Sequence, residues 1–251
     1  MKAAGIIAAG WGERLGQKIP KALTPVAGRV LIDFVLDGLE AAGVTDVVCI
    51  VNESARAVPD HVARQRRSLK IDWIIQTTPS SMHSFLIVLE RLARFGQKSY
   101  LMSTVDGVCP PETYRQFSQA CELFEDADVC LGLTDLIDDE KPLRVAMSGN
   151  EGTGIMPARL EDNPAAFEIV AMTNTGFDST YITSGFYQVS PQILQLKEES
   201  LGKGFTALRQ FLGHLLKYGF RFYGVPLPAV VDVDRPQDVA TAEKFLAGSK
   251  S

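Results

Sequence analysis

Ala3 to Ala8 (AAGIIA) is apolar at every position and runs directly into Gly10-Trp11-Gly12. A half-wet strand alternates polar and apolar residues, and a surface helix repeats at 3.6. A short run that does neither predicts a strand covered on both faces. Such a strand needs helices above and below it, and the chain supplies them in alternation. Val30–Ala42 puts Leu31, Phe34, Val35 and Leu39 on one helical face and stops at Gly43. Asp46–Val51 is a second strand, and a charged helix follows over about Ala55–Arg67. Ile71–Gln76 is a third strand, Ser81–Phe95 a helix, and Ser99–Thr104 a fourth strand. This is the pattern of an α/β fold, a Rossmann-like three-layer α/β/α sandwich around a mostly parallel mixed sheet.

The second half reads as a mixed addition. Strands are expected at Ala127–Leu133, Leu143–Met147, Ser184–Val189, Arg221–Val225 and Val230–Val233, and helices at Gly204–Tyr218 and Pro236–Ala247. The aromatic run Tyr218, Phe220, Phe222, Tyr223 reads as core strand, and Trp73 as a core residue. Asp135, Asp138, Asp139 and Glu140 read as a solvated loop, and 149–181 is the least patterned stretch.

Composition narrows the class. With 251 residues the chain suits one large domain. Lys plus Arg number 25 against 30 Asp plus Glu, a net charge of −5. That balance speaks against a nucleic-acid polymer as partner, which demands clustered basic surface, but leaves room for one nucleotide in a local positive pocket. The four cysteines form no Cys-x-x-Cys pair and read as reduced thiols of a cytoplasmic protein, with Cys49 and Cys130 inside apolar runs as buried thiols are. The apolar start Met1–Trp11 is too short for a signal peptide and meets Gly12, Glu13 and Arg14 at once; no stretch is long and apolar enough to suggest a membrane partner. A homo-oligomer stays open.

The chemistry begins at the first bend. Glycines at 10 and 12 allow backbone N–H groups to approach an anion. A plain strand-to-helix turn would look the same. A dinucleotide fingerprint needs a third glycine where Leu15 stands, and a phosphate loop of the Gly-Lys-Ser/Thr kind is missing. What tips the reading toward phosphate is the pair of cations, Arg14 and Lys21, that flanks the bend.

Gly5 to Glu53 resembles the signature of the GT-A-type nucleotidyltransferases, which include NDP-sugar pyrophosphorylases, phosphocholine cytidylyltransferases and molybdopterin guanylyltransferases. The resemblance rests on Ile7-Ala8-Ala9-Gly10-Trp11-Gly12-Glu13-Arg14-Leu15, then Pro20-Lys21-Ala22-Leu23-Thr24-Pro25-Val26-Ala27-Gly28, then Leu31-Ile32 and Ala42-Gly43-Val44-Thr45-Asp46-Val47. It implies transfer of an NMP group from an NTP to a small phosphorylated acceptor, a sugar-1-phosphate or alcohol phosphate, with release of pyrophosphate. It implies one domain, with 1–133 holding the nucleotide and 134–251 holding the acceptor and completing a metal site. Lys21 and Arg14 become the catalytic cations, and Ala8, Ala9, Gly10, Trp11, Gly12, Gln76 and Ser81 the nucleotide-binding set. In-line transfer gathers negative charge, for which Mg²⁺ (or Mn²⁺) is the natural counterion. Asp106, at the end of the fourth strand, and Asp232 and Asp234, two residues apart on an extended segment, match the family's metal carboxylates. Val105 stands where the family has a glycine, and Ser80-Ser81-Met82 where many pyrophosphorylases carry Gly-Thr-Ala, so the base stays open. Ser184-Gly185-Phe186-Tyr187 resembles a strand beside the acceptor, which assigns Gly185 and Tyr187 to acceptor binding; a plain strand with a close backbone approach is the alternative. The rivals are a molybdopterin-type guanylyltransferase, a nucleotide-binding module without turnover, and a Rossmann oxidoreductase, which the missing third glycine disfavours.

Overall fold

A computed structural model describes residues 2–16, 18–135, 143–147, 167–173 and 181–248. In chain order these form β1 (Ala3–Ala8), β2 (Pro25–Val26), β3 (Arg29–Val30), α1 (Leu31–Ala41), β4 (Asp46–Val51), α2 (Ala57–Ala63), β5 (Lys70–Ile75), α3 (Ser81–Ala93), β6 (Tyr100–Thr104), β7 (Gly107–Val108) and α4 (Pro111–Cys121). There follow β8 (Val129–Thr134), β9 (Arg144–Met147), β10 (Phe167–Thr173), β11 (Ile182–Val189), α5 (Lys197–Gly202), α6 (Leu208–Lys217), β12 (Phe222–Pro226), β13 (Val231–Asp232) and α7 (Pro236–Gly248). Asp138, Asp139, Glu140 and most of 149–181 lie outside the described residues; Asp135 is exposed.

One sheet carries the architecture, in the order β5-β4-β1-β6-β11-β8-β12-β10-β9. The first four strands are parallel. β11 runs antiparallel between β6 and β8, and β10 antiparallel between β12 and β9, so the other strands share the direction of β1. The core lies in two layers. Ala4, Ile6 and Ala8 of β1 belong to the layer that holds α1, α2 and α4, whereas Ala3 belongs to the layer that holds α3 and α6. Both faces of β1 are therefore dry, which is why its sequence has no polar position.

Three departures from the sequence expectation have local causes. α2 ends at Ala63, short of Arg67, because Arg67 folds back onto α1: its guanidinium donates to Asp37 at 2.8 Å and to Glu40 at 3.3 Å. α4 was not expected, yet it starts at Pro111, where a missing N–H costs nothing, and buries Tyr114, Phe117, Ala120 and Cys121 at helical spacing. The aromatic run is not a continuous core strand. Only Phe222 is fully buried, in β12; Tyr223 is half-buried and stacks on Phe124 at 4.7 Å. Tyr218 is exposed, because α6 continues to Lys217 and leaves the ring at the helix end, its hydroxyl donating to Glu199 at 2.6 Å. Trp73 is half-buried against the core, and all four cysteines are free and buried.

The α1–α2 seam is polar. Asp33, 7% exposed, accepts from Gln65 at 2.8 Å and faces His61 Nε2 at 3.0 Å. Burial alone would raise its carboxyl pKa; the Gln65 and His61 hydrogen bonds outweigh burial and hold it below the ordinary 3.8. A carboxyl depressed on folding stabilises the fold above the ordinary value, and the contribution fades as pH falls below it. Denaturation midpoints measured from about pH 6 down to about pH 3 are expected to fall in the wild type, and Asp33→Asn is expected to flatten that acid decline.

Candidate active site

β1 and β6 are neighbours and parallel, so the bend after Ala8 and the turn after Thr104 leave the same edge of the sheet. Open α/β sheets bind ligands at that edge, outside the carboxyl ends of the strands. Gly12 takes a left-handed conformation (φ 66°), and a Cβ there would stand 2.9 Å from Leu15 Cδ1 and 3.1 Å from Lys21 Cβ. The glycine thus lets the bend close onto the segment that carries Lys21. Pro20 then leads into a short 3-10 turn, Lys21–Leu23, closed by Leu23 N–H to the Pro20 carbonyl at 2.8 Å. This fixes the lysine stem, and the side chain is 8% exposed.

A second device brings the distant aspartates in. β13 pairs antiparallel with β7, Asp232 opposite Gly107, and the Val233 N–H continues the ladder to the Asp106 carbonyl at 3.1 Å. Asp234 follows at once. Its backbone N–H and that of Arg235 donate to Asp238 at 2.9 and 2.7 Å. Asp238 is 6% exposed and caps the start of α7, a place a carboxylate suits. Asp238→Ala is expected to cost about 1 kcal/mol of stability, as lost caps do. Turnover in an NTP-dependent assay is expected to fall further than Asp238→Asn, which keeps an acceptor; misplacement of a site group by about 1 Å can cost about 10².

At the centre, the Lys21 ammonium donates to Asp106 Oδ2 at 2.6 Å and to Asp234 Oδ1. The Arg14 guanidinium, mostly exposed, reaches the other oxygen of Asp234 at 3.4 Å. Burial would lower the Lys21 pKa, but the two carboxylates outweigh it and hold the amine charged well above its ordinary range. Burial likewise pushes the Asp106 carboxyl up, and Lys21, with hydrogen bonds from Thr104 and the backbone, more than reverses the effect. The chain thus brings together Arg14, Lys21, Asp106 and Asp234. Asp232 is exposed on β13; burial, and then the charges of Asp106 and Asp232, raise the Tyr187 hydroxyl pKa.

Could this set hold a divalent cation? Among the described residues no group of three or more His, Cys, Asp and Glu clusters for a metal. Yet Asp106 and Asp234 already aim one oxygen each at a single positive charge, Lys21. Mg²⁺ commonly takes one or two carboxylates and completes its shell with water and substrate phosphate oxygens, so the two-carboxylate set fits it.

The remaining expected residues fall as follows. Gly10 and Trp11 are exposed on the bend, and a Cβ at Gly10 would meet nothing within 4 Å. Ala8 is buried and Ala9 half-buried. Gln76 is exposed just past β5, its N–H held by the Val51 carbonyl at 2.9 Å. Ser81 accepts from the Leu208 N–H at 3.3 Å and so ties α3 to α6, while Ser80 caps α3 through the His83 N–H at 3.5 Å. Tyr187 is 7% exposed, its ring edge-on to Phe85 at 5.8 Å. Gly185 sits at φ 77° where a Cβ would lie 2.4 Å from Thr104 Oγ1, a close backbone approach beside the Asp106 turn. The clamp residues Val233, Gly107 and Asp238 carry no signal in the sequence beyond a glycine after one aspartate and an acidic residue near a helix start.

A three-layer sandwich of this strand order, with a cation-flanked bend facing two aspartates, defines a GT-A-like nucleotide-binding fold. Solved structures superpose on it along nearly their whole length. The inositol-1-phosphate CTP transferase from T. maritima gives a TM-score of 0.76 at 18% identity over 100% of this chain and 97% of that one. UDP-glucose pyrophosphorylase complexed with UDP-glucose gives 0.78 at 16% identity over 99% of both chains. Residues 4–143 match the family of the MobA-like NTP transferase domain. The match covers more than half of the chain, and the chain belongs to that family. Among sequence relatives, the CMP-5'-(3-aminopropyl)phosphonate synthase of Streptomyces rubellomurinus is 33% identical over 121 residues, 47% of this chain and 19% of that protein. The 2-C-methyl-D-erythritol 4-phosphate cytidylyltransferase of Thermotoga neapolitana is 37% identical over 95 residues, 37% of this chain and 42% of that protein. The aligned stretches therefore span less than half of either relative.

Proposed function

We propose that the protein is a cytoplasmic nucleotidyltransferase that moves an NMP group from an NTP to a small phosphorylated acceptor and releases pyrophosphate, with Mg²⁺ as the divalent cation. The observation that carries the reading is the convergence of Lys21 and Arg14 on Asp106 and Asp234 at the carboxyl edge of β1 and β6. The N-terminal half, 1–133, binds the nucleotide; 134–251 supplies the acceptor side, with Gly185 and Tyr187 nearby, and Asp232 and Asp234. The names of the relatives support the acceptor class: aminopropylphosphonate, methylerythritol 4-phosphate and inositol-1-phosphate all present a phosphorus oxyanion.

The attacking oxygen of such an acceptor is already ionised near neutral pH, so no general base is required. Catalysis then consists of positioning and charge stabilisation. Backbone N–H groups of the bend from Ala8 to Gly12 cradle phosphate oxygens. Lys21 holds the charge that develops on the α-phosphate, and Arg14 holds the leaving pyrophosphate through its planar fork. Asp106 and Asp234 would hold Mg²⁺, which when bound supplies further charge neutralisation for the triphosphate. Gln76 and Ser81 are assigned to the base, and Trp11 to covering the bound nucleotide. A pyrophosphate-release assay tests this with each NTP against phosphate-monoester and phosphonate acceptors in Mg²⁺. CTP is the first donor to try, since three relatives carry cytidylyl names. Thermal stabilisation by an NTP with no pyrophosphate from any acceptor would favour a binding module instead. The family match keeps guanylyl transfer to a molybdopterin-type acceptor as the second reading.

A further inference from the structure

The Asp106 carboxylate accepts hydrogen bonds from two side chains, the Lys21 ammonium at 2.6 Å and the Thr104 hydroxyl. Its backbone is pinned separately. The Asp106 carbonyl accepts from the Val233 N–H at 3.1 Å. Just before it in the chain, Ser103 Oγ donates to the Thr104 carbonyl at 2.8 Å and meets the Tyr114 hydroxyl at 3.1 Å. These contacts place the turn, but they leave the carboxylate free to rotate, because the last torsion of an aspartate is broad. Its direction is set by Lys21 and Thr104, and the two are not equivalent. On the reading above, Lys21 meets the α-phosphate once a triphosphate is bound, whereas Thr104 stays on the sheet.

Thr104 is held firmly in that place. It is the last residue of β6, paired with Ile7 of β1, and its branched side chain has a stiff first torsion. Gly185 of β11 closes on it from the other side. A Cβ at Gly185 would stand 2.4 Å from Thr104 Oγ1, but 3.6 Å from Thr104 Cβ and 3.9 Å from Cγ2. It is therefore the hydroxyl, and not the methyl, that lies against Gly185, in room that exists because no side chain stands there. We infer that Thr104 is a positioning residue: its hydroxyl, seated between Gly185 and Asp106, keeps the Asp106 carboxylate directed at the divalent cation when Lys21 has turned to the nucleotide. The inference rests on the reading under Proposed function and adds to it a residue that acts through Asp106.

The test is binding, not turnover. Isothermal titration calorimetry measures the Kd of each NTP's α,β-methylene analogue twice, in excess Mn²⁺ and in EDTA, and the ratio is the tightening that the metal supplies. Thr104→Val keeps the branched shape and loses the hydroxyl. It is expected to lose about tenfold of that tightening, the lower end for removing a hydrogen bond behind a metal ligand, with the Kd in EDTA unchanged. Thr104→Ser keeps the hydroxyl and loses the methyl, and is expected to recover most of the tightening. A role in packing alone predicts the opposite order, because valine fills the space of threonine better than serine does. Metal tightening in Thr104→Val equal to that of the wild type, or Thr104→Ser as poor as Thr104→Val, would overturn the inference and leave the transferase reading standing. A wild type that binds every analogue equally with and without Mn²⁺ would overturn the metal-dependent reading and the inference with it. If circular dichroism shows Thr104→Val to be unfolded, Thr104→Ala supplies the hydroxyl-free comparison with Thr104→Ser, and the same outcomes decide.

Discussion

Lys21→Ala is expected to lower turnover by about 10²–10³, as removal of a preorganised charge from a developing oxyanion does. The lysine is positioned for this role before any substrate arrives. Its stem is fixed by Pro20 and the 3-10 turn, its ammonium is held by Asp106 and Asp234, and those carboxylates keep it charged through the physiological range. On the proposed reading the loss should fall mainly on kcat, because the charge that Lys21 would meet grows during transfer, while Arg14 and the bend would still bind the ground-state triphosphate. Lys21→Arg should recover part of the rate at best, since a planar fork does not fill the place of a compact ammonium between two carboxylates. Steady-state pyrophosphate release checks both variants, with circular dichroism to confirm that each is folded. Near-normal kcat in Lys21→Ala would refute the catalytic assignment.

Phe186→Ala is expected to cost about 3–5 kcal/mol of stability, the range for a buried phenylalanine. Phe186 is 1% exposed on β11, tilted against Tyr114 at 4.5 Å and edge-on to Phe117 at 5.9 Å. It thereby joins α4 to the sheet directly behind the turn that presents Asp106, with its ring edge close to Gly107. Truncation would leave a cavity bordered by the rings of Tyr114 and Phe117, which cannot easily collapse into it. Against a total stability of roughly 5–15 kcal/mol, this is a large fraction. Urea or guanidinium unfolding measures it, with Phe186→Leu as the milder control. A loss under about 1 kcal/mol would mean that the layer repacks around the missing ring.

Much of this arrangement was legible in the residues. β1 and β4 fall where unbroken apolar runs put them, because burial on both faces leaves no other solution for such runs. The bend, Arg14 and Lys21 stood out because phosphate chemistry needs small residues and cations at close spacing. α4 was missed although Pro111, Tyr114, Phe117 and Cys121 mark it, since short polar helices compete poorly with stronger neighbouring patterns. The end of α2 was overestimated because Arg67 leaves the helical path for three acidic partners on α1, a choice that no local propensity records. Gly185, assigned to the acceptor by its motif, also has the close backbone approach that a glycine in a strand implies, here to Thr104 of β6.

What the sequence alone determined is therefore the local and periodic part: layered α/β architecture, a glycine bend after the first strand, and the charged residue types that flank it. Only the tertiary structure decided which aspartate joins Asp106 on Lys21, because that depends on β13 pairing with β7 and on Asp238 anchoring Asp234. Contacts between residues more than a hundred positions apart are fixed by how whole elements pack, and spacing along the chain carries no record of them.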